Sequence, residues 1–180
     1  MRQEDLATRL GEKIRNVPDF PKPGIQFKDI TTLLADGAAF REATQWMAGL
    51  ARAKRVDRVA AVEARGFIFG AALARELNTG FAPIRKPRKL PYKTIAESYS
   101  LEYGTDSVEM HVDAVKPGES VLLVDDLLAT GGTMLAACRL VERQKASVAA
   151  CVFLIELAFL KGRDKLSPRE THALIRVDSE

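Results

Sequence analysis

The chain has 180 residues, which suits one domain able to bury about two-thirds of its unfolded surface without a disulfide or metal staple. Its net charge of +3 is unevenly spread: Arg85, Lys86, Arg88, Lys89 and Lys93 stand together with no acid among them, and the remaining 22 cations face 24 acids. A near-neutral scaffold with one basic segment argues for a local anion site and against a broad nucleic-acid footprint. No apolar run approaches the roughly 20 residues of a membrane span, and the charged start MRQEDLATRLGEK is unlike a signal peptide. Cys138 and Cys151, each in an apolar stretch, read as buried thiols of a reducing cytoplasm. His111 and His172 stand far apart with no zinc-like spacing, so no protein-ligated transition metal is expected.

In chain order, Leu6, Leu10 and Ile14 at four-residue steps predict an amphipathic helix ending near Arg15. The proline-rich stretch Pro18 to Gly24 breaks regular structure, and Phe20, Ile25 and Phe27 around it call for burial. A second helix is predicted from about Ala38 to Lys54, with Phe40, Ala43, Met47 and Leu50 on one face. Beyond it the pattern alternates. Residues 59–62 form an apolar strand, 66–77 a helix and 81–84 a strand. Residues 98–103 and 108–112 form a two-strand excursion, 121–124 a buried strand, 133–145 a helix and 148–155 a buried strand. Continuous apolar strands alternating with helices predict a single α/β domain built on a mostly parallel sheet. Ligands of such sheets bind beyond the C-terminal strand ends. That rule selects three loops, over residues 63–66, 85–98 and 125–132.

The third loop, VLLVDDLLATGGT (Val121 to Thr133), carries the most chemistry. A buried strand delivers Asp125 and Asp126, and the paired Gly131 and Gly132, flanked by Thr130 and Thr133, open a helix. Glycines let backbone N–H groups line a concavity, and a helix start adds positive potential, so the segment reads as a phosphate cradle. It is no P-loop, for it lacks the lysine. Carboxylates beside a phosphate repel it unless they face hydroxyl donors, which a sugar diol supplies. A structural turn with a threonine cap and solvated acids is the plainer alternative.

This stretch resembles the phosphoribosyl-diphosphate (PRPP) motif of the type I phosphoribosyltransferases. With PDFPKPGIQFKDIT (Pro18 to Thr31), EARGFIFG (Glu63 to Gly70), IRKPRKLP (Ile84 to Pro91) and SYSLEYG (Ser98 to Gly104), the likeness extends over nearly the whole chain to the adenine phosphoribosyltransferase family. The resemblance implies transfer of a phosphoribosyl group from PRPP to adenine, giving AMP and pyrophosphate. It implies an N-terminal base-covering piece over residues 1–35 and a two-strand hood over 85–107 of the one domain. It places the ribose diol on Asp125 and Asp126, and the 5-phosphate on Ala129, Thr130, Gly131, Gly132 and Thr133. It places pyrophosphate on Ala64, Arg65 and Gly66, with a strained peptide between Ala64 and Arg65.

Arg65 is a planar donor suited to diphosphate. On its own it reads equally well as a surface arginine. Arg85, Lys86 and Lys89 would join it from the hood, although a solvated charge run is the common reading of such a segment. Glu102 would manage a proton at the purine while a ring nitrogen attacks. Without the resemblance it reads as a strand-edge glutamate. Phe27 would stack on the base and the main chain at Gln26 and Lys28 would read its edge; Phe27 as plain core competes. Lys28 and Ala64 depart from members that carry arginine and serine there. Mg²⁺ would arrive bridged by PRPP oxygens and water, not on protein ligands. A homodimer is expected, through the face near Phe67 to Leu77, with no nucleic-acid or membrane partner. Two rivals remain: a 6-oxopurine phosphoribosyltransferase, and a PRPP-fold regulator that binds nucleic acid.

Overall fold

The computed structural model describes residues 2–100 and 104–179. Five strands form one wholly parallel sheet: β3 (Arg58–Val62), β4 (Gly80–Ile84), β7 (Ser120–Leu128), β8 (Ser147–Leu157) and β9 (Thr171–Val177), in the order β4-β3-β7-β8-β9. Two antiparallel pairs stand outside it. One joins β1 (Arg15–Val17) to β2 (Phe27–Asp29), and the other, the hood, joins β5 (Thr94–Ser100) to β6 (Thr105–His111).

Strand alternation divides the core into two layers. Val59, Ala61, Leu122, Val124 and Val152 face one way, against α1 (Gln3–Gly11), α3 (Gly37–Arg52) and α4 (Gly66–Glu76). Ala60, Val62, Val121, Leu123, Cys151 and Phe153 face the other, against α5 (Gly132–Arg143) and the hood residues Val108 and Met110. Being covered on both faces explains why these strands read as unbroken apolar runs. Met47 and Ala43 of α3 are fully buried, as its periodicity predicts.

Several expectations are corrected. The first helix ends at Gly11, and Ile14 lies in the turn that leads into β1. Phe20 and Ile25 are 51% and 44% exposed, because the segment around them stands over the sheet's end and not inside the core. The hood strands begin earlier than predicted, and β7 runs on to Leu128, so both aspartates belong to the strand itself. The last strand β9, and the short helices α2 (Thr31–Ala35) and α6 (Gly162–Leu166), carry no periodic signal long enough to read. Cys138 and Cys151, distant in sequence, are buried neighbours with their sulfurs 3.6 Å apart. Among the described residues, no helix is long and apolar enough to cross a membrane.

The strand order has a consequence for function. From β3 the chain steps outward to β4, then returns to place β7 on the other side of β3. The crevice beyond the ends of β3 and β7 is therefore the sheet's switch point, where such folds place ligands. Helix α4 forms one wall of it, anchored by Phe69, which is fully buried and packs edge-on against Phe40 of α3 with ring centroids 5.6 Å apart. Phe69→Ala is expected to destabilise the fold by about 3–5 kcal/mol, measured by urea unfolding with the single tryptophan, Trp46 of α3, as reporter.

Candidate functional site

Three segments meet at the switch point. The first is the turn between β3 and α4. A cis peptide joins Glu63 to Ala64, one bond upstream of the peptide that the resemblance singles out. The next residue, Arg65, reaches across the crevice, and its Nε lies 2.8 Å from Asp126 Oδ2 as an ion pair, off the line of a hydrogen bond. Its guanidinium also sits 4.9 Å from the centroid of the Phe27 ring, and its Nη1 donates to the Lys28 carbonyl at 3.4 Å. Arg65 thus ties the first turn to both β7 and β2.

The second segment is the end of β7. Asp126 is 4% exposed. Asp125 accepts from the Asp126 main-chain N–H at 2.9 Å and is enclosed by packing, though part of its surface reaches solvent. Gly66 makes room for it: a methyl group there would stand 2.7 Å from Asp125 Oδ1. Burial, and then the neighbouring Asp126 charge, push Asp125 well above the usual carboxylate range. Burial also raises Asp126, against the opposing charge of Arg65. Two adjacent acids are therefore held where a second negative charge is costly, and hydroxyl donors or a cation would relieve them.

The third segment runs from Ala129 to Thr133 into α5. Gly131 adopts φ 77°, the left-handed region that favours glycine, and caps α5 with no side-chain cap. Behind it stands Gly162, in bare backbone contact: a methyl on Gly131 would lie 2.4 Å from the Gly162 carbonyl oxygen. Gly162 is itself fixed by its neighbour. Arg163 donates Nε to Glu156 Oε1 at 2.9 Å, and its other nitrogens reach Glu156 Oε2 and the Thr171 carbonyl. Glu156, 3% exposed, thereby clamps α6 behind the loop. Asp125, Thr130, Gly131, Gly132 and Thr133 line a concavity of about 80 Å³ in front of it.

Beside this concavity lies a larger, mainly apolar cavity of about 250 Å³, bordered by Gln26, Lys28, Thr130, Leu157, Phe159 and Leu160. Thr130 belongs to both. Gln26 and Lys28 line the cavity, but Phe27 does not, because alternate residues of an extended chain face opposite ways. Phe27 instead lies between Arg65 and Phe20, whose ring centroid is 5.0 Å away. The aromatic ring at the cavity is that of Phe159, with the aliphatic Leu157 and Leu160 beside it. Nothing local marks them. They reach the site only because β8 carries the chain there.

The basic segment is less free than its composition suggests. Arg85 Nε and Nη2 donate to Glu63 Oε2 at 3.1 and 2.8 Å, and its Nη1 donates to the Lys89 carbonyl. Burial alone would raise Glu63, yet Arg85 and the Lys86 N–H hold it below the usual range. Lys86 Nζ is engaged by Asp106 and Tyr99 of the hood. The structure thus brings Ala64, Arg65, Gly66, Arg85, Lys86, both aspartates and the 129–133 loop to one end of the sheet. Glu102 lies outside the described residues.

The matched family model is that of the phosphoribosyl transferase domain, over residues 29–176. Adenine phosphoribosyltransferase 1 of Triticum aestivum is 52% identical over 178 residues, 99% of this chain and 98% of its own. The chain belongs to the adenine phosphoribosyltransferase family. Its fold agrees. The crystal structure of adenine phosphoribosyltransferase from Thermoanaerobacter pseudethanolicus superposes with TM-score 0.93 at 50% identity, covering 95% of this chain and 99% of that one. The Saccharomyces cerevisiae family member, complexed with an imino-altritol bisphosphate and adenine, superposes with TM-score 0.90 at 36% identity, covering 96% and 99%.

The raised acid pair predicts a pH dependence of stability. Asp125 in the folded chain sits above its ordinary value of 3.8, so the folded state holds that proton more tightly than the unfolded state does. Its favourable contribution is complete below the unfolded value and is lost as pH rises through the folded one. Asparagine has no proton to lose there. Asp125→Asn is therefore expected to raise the melting temperature by about 2–5 °C near neutral pH and by less near pH 4, measured by calorimetry across that range.

Proposed function

We propose that the chain transfers the 5-phosphoribosyl group of PRPP to adenine, releasing AMP and pyrophosphate. One observation carries the reading: a phosphate-sized concavity and a base-sized apolar cavity meet at Thr130, with two carboxylates beside them. A phosphate, a diol and a flat base in sequence are the parts of a nucleotide.

The residues take these roles. Backbone N–H groups from Ala129 to Thr133, with the Thr130 and Thr133 hydroxyls, hold the 5-phosphate at the start of α5. Asp125 and Asp126 accept the ribose hydroxyls, and those donors favour the ionised carboxylates that burial disfavours. Adenine lies against Phe159 and Leu160, and the main chain at Gln26 and Lys28 reads its edge. The diphosphate meets Ala64, Arg65, Gly66, Arg85, Lys86 and Lys89. As the bond from C1 to the diphosphate oxygen breaks, the purine nitrogen N9 bonds to C1 and the electron pair leaves on pyrophosphate. Positive charge develops on the ribose near the two aspartates, and negative charge grows beside Arg65. Catalysis is positioning plus this charge stabilisation. Adenine brings one ring proton that AMP lacks; carried on N7 in the reacting tautomer, it passes to Glu102 as N9 attacks.

Mg²⁺ arriving with PRPP would suit the hard carboxylate oxygens of Asp125 and Asp126 at the end of β7. When bound it neutralises charge on the leaving diphosphate. Asp125 and Asp126 would face it through its waters, with no direct protein ligand. A homodimer through the face from Phe67 to Leu77 is supported by Ile68, which leaves 40% of its surface on the outside of α4. A cytoplasmic location is supported by the adjacent unbonded thiols of Cys138 and Cys151.

The direct test is incubation with PRPP, Mg²⁺ and an equal mixture of adenine, hypoxanthine and guanine. AMP is the expected nucleotide; IMP or GMP in its place would overturn the assignment. In the same assay, Glu102→Leu is expected to lower kcat by about 10²–10⁴ with the KM for PRPP little changed. Near-normal kcat would remove Glu102 from the mechanism.

A further inference from the structure

Asp106 and Glu63 both bind cations of the basic segment, but they are carried differently. Glu63 stands at the end of β3 and also accepts the Lys86 main-chain N–H, so it belongs to the scaffold. Asp106 belongs to the hood. Strand β6 pairs along its length with β5, and it meets the body at the Arg85–Glu109 bridge, two main-chain hydrogen bonds of 2.9 and 2.7 Å. Beyond that bridge, the Asp106 carboxylate reaches back to Lys86 Nζ.

Three contacts define the arrangement. Lys86 Nζ donates to Asp106 Oδ2 and, at 2.9 Å, to Tyr99 Oη. Tyr99 Oη donates in turn to the same Asp106 oxygen at 3.1 Å. The Ser107 N–H donates to the other oxygen at 2.8 Å, which fixes the carboxylate's direction. The pair is not sealed: the Lys86 and Asp106 side chains keep 40% and 30% of their surface exposed. Hydrogen bonding from Lys86 holds Asp106 below the usual carboxylate range. Burial opposes the Lys86 charge, but Asp106 and Tyr99 more than restore it. Both groups are ionised at neutral pH.

An ammonium group has three donors, and two are used here. A diphosphate oxygen reaching Lys86 must share it with a fixed carboxylate of like charge to its own. We propose that Asp106 sets the affinity of the site for diphosphate groups, competing from the hood for Lys86 so that the diphosphate end of PRPP and free pyrophosphate are both held less tightly than the cations alone would hold them. The proposal rests on the reading of Lys86 as a pyrophosphate ligand. Its use to an enzyme of this kind is release: a site that binds the leaving group too well retains it.

The test is a double-mutant cycle with Asp106→Asn and Lys86→Met. It reads the KM for PRPP, the inhibition constant of free pyrophosphate and the KM for adenine. Asparagine keeps the shape and an acceptor but removes the charge. Asp106→Asn is expected to lower both the PRPP and the pyrophosphate constants by about two- to fivefold, the scale of a part-exposed ion pair, with adenine unchanged. Tyr99→Phe, which removes one of the two holds on Lys86, is expected to move both constants the same way by less. In the Lys86→Met background the Asp106→Asn gain should vanish. The proposal is overturned if Asp106→Asn leaves or raises both constants, or if its gain survives without Lys86. If Lys86→Met itself changes neither constant, the reading of Lys86 fails and the proposal falls with it. That outcome is distinct from a response to Lys86→Met with none to Asp106→Asn.

Discussion

Two carboxylates side by side at the end of a buried strand are the constraint around which the site is arranged. Water would solvate them cheaply; β7 instead carries Asp125 and Asp126 into the crevice at the switch point. Their neighbours answer that cost. Arg65 offers its charge to Asp126, and Gly66 withdraws its side chain from Asp125. The repulsion that remains is stored binding capacity, because a ligand bringing hydroxyl donors and a cation relieves it. The phosphate cradle is built on the same economy of space. Gly131 and Gly162 touch backbone to backbone, and the pairing of buried Glu156 with the half-exposed Arg163 holds the second against the first.

What was legible in the sequence follows from the range of the physics involved. Strands β3, β4, β7 and β8 announce themselves as apolar runs because both their faces are covered. The 125–133 segment was legible because its acids, glycines and threonines act through their own backbone and their nearest neighbours. Gly162, Phe159 and Leu160 were not, since each matters through a residue about thirty positions away or through the path of β8, and Glu156 was not, because its partner Arg163 lies past the end of that strand. Phe27 does not border the cavity that its two neighbours line, for a local reason. An extended chain sends Gln26 and Lys28 one way and Phe27 the other, so the aromatic ring supports Arg65 while its neighbours face the cavity.

Charge shows the same division. In the sequence, five cations stand without an acid between Ile84 and Lys93, a pattern that points to an anion site. Folding brings Glu63 to that segment from the end of β3, and Asp106 and Glu109 from β6. Two of its cations, Arg85 and Lys86, are thus already oriented by carboxylates. Orientation lowers the entropy lost when an anion arrives, and Asp106 limits how tightly Lys86 holds it.

In the proposed function, Asp125 and Asp126 bind the ribose diol of PRPP. The most direct measurement is titration calorimetry of Mg²⁺-PRPP against the wild-type chain and the Asp125→Asn/Asp126→Asn double variant, with circular dichroism to establish that both are folded. The account predicts saturable heat for the wild type and none for the folded double variant. Binding by the double variant within about threefold of the wild-type Kd would contradict it.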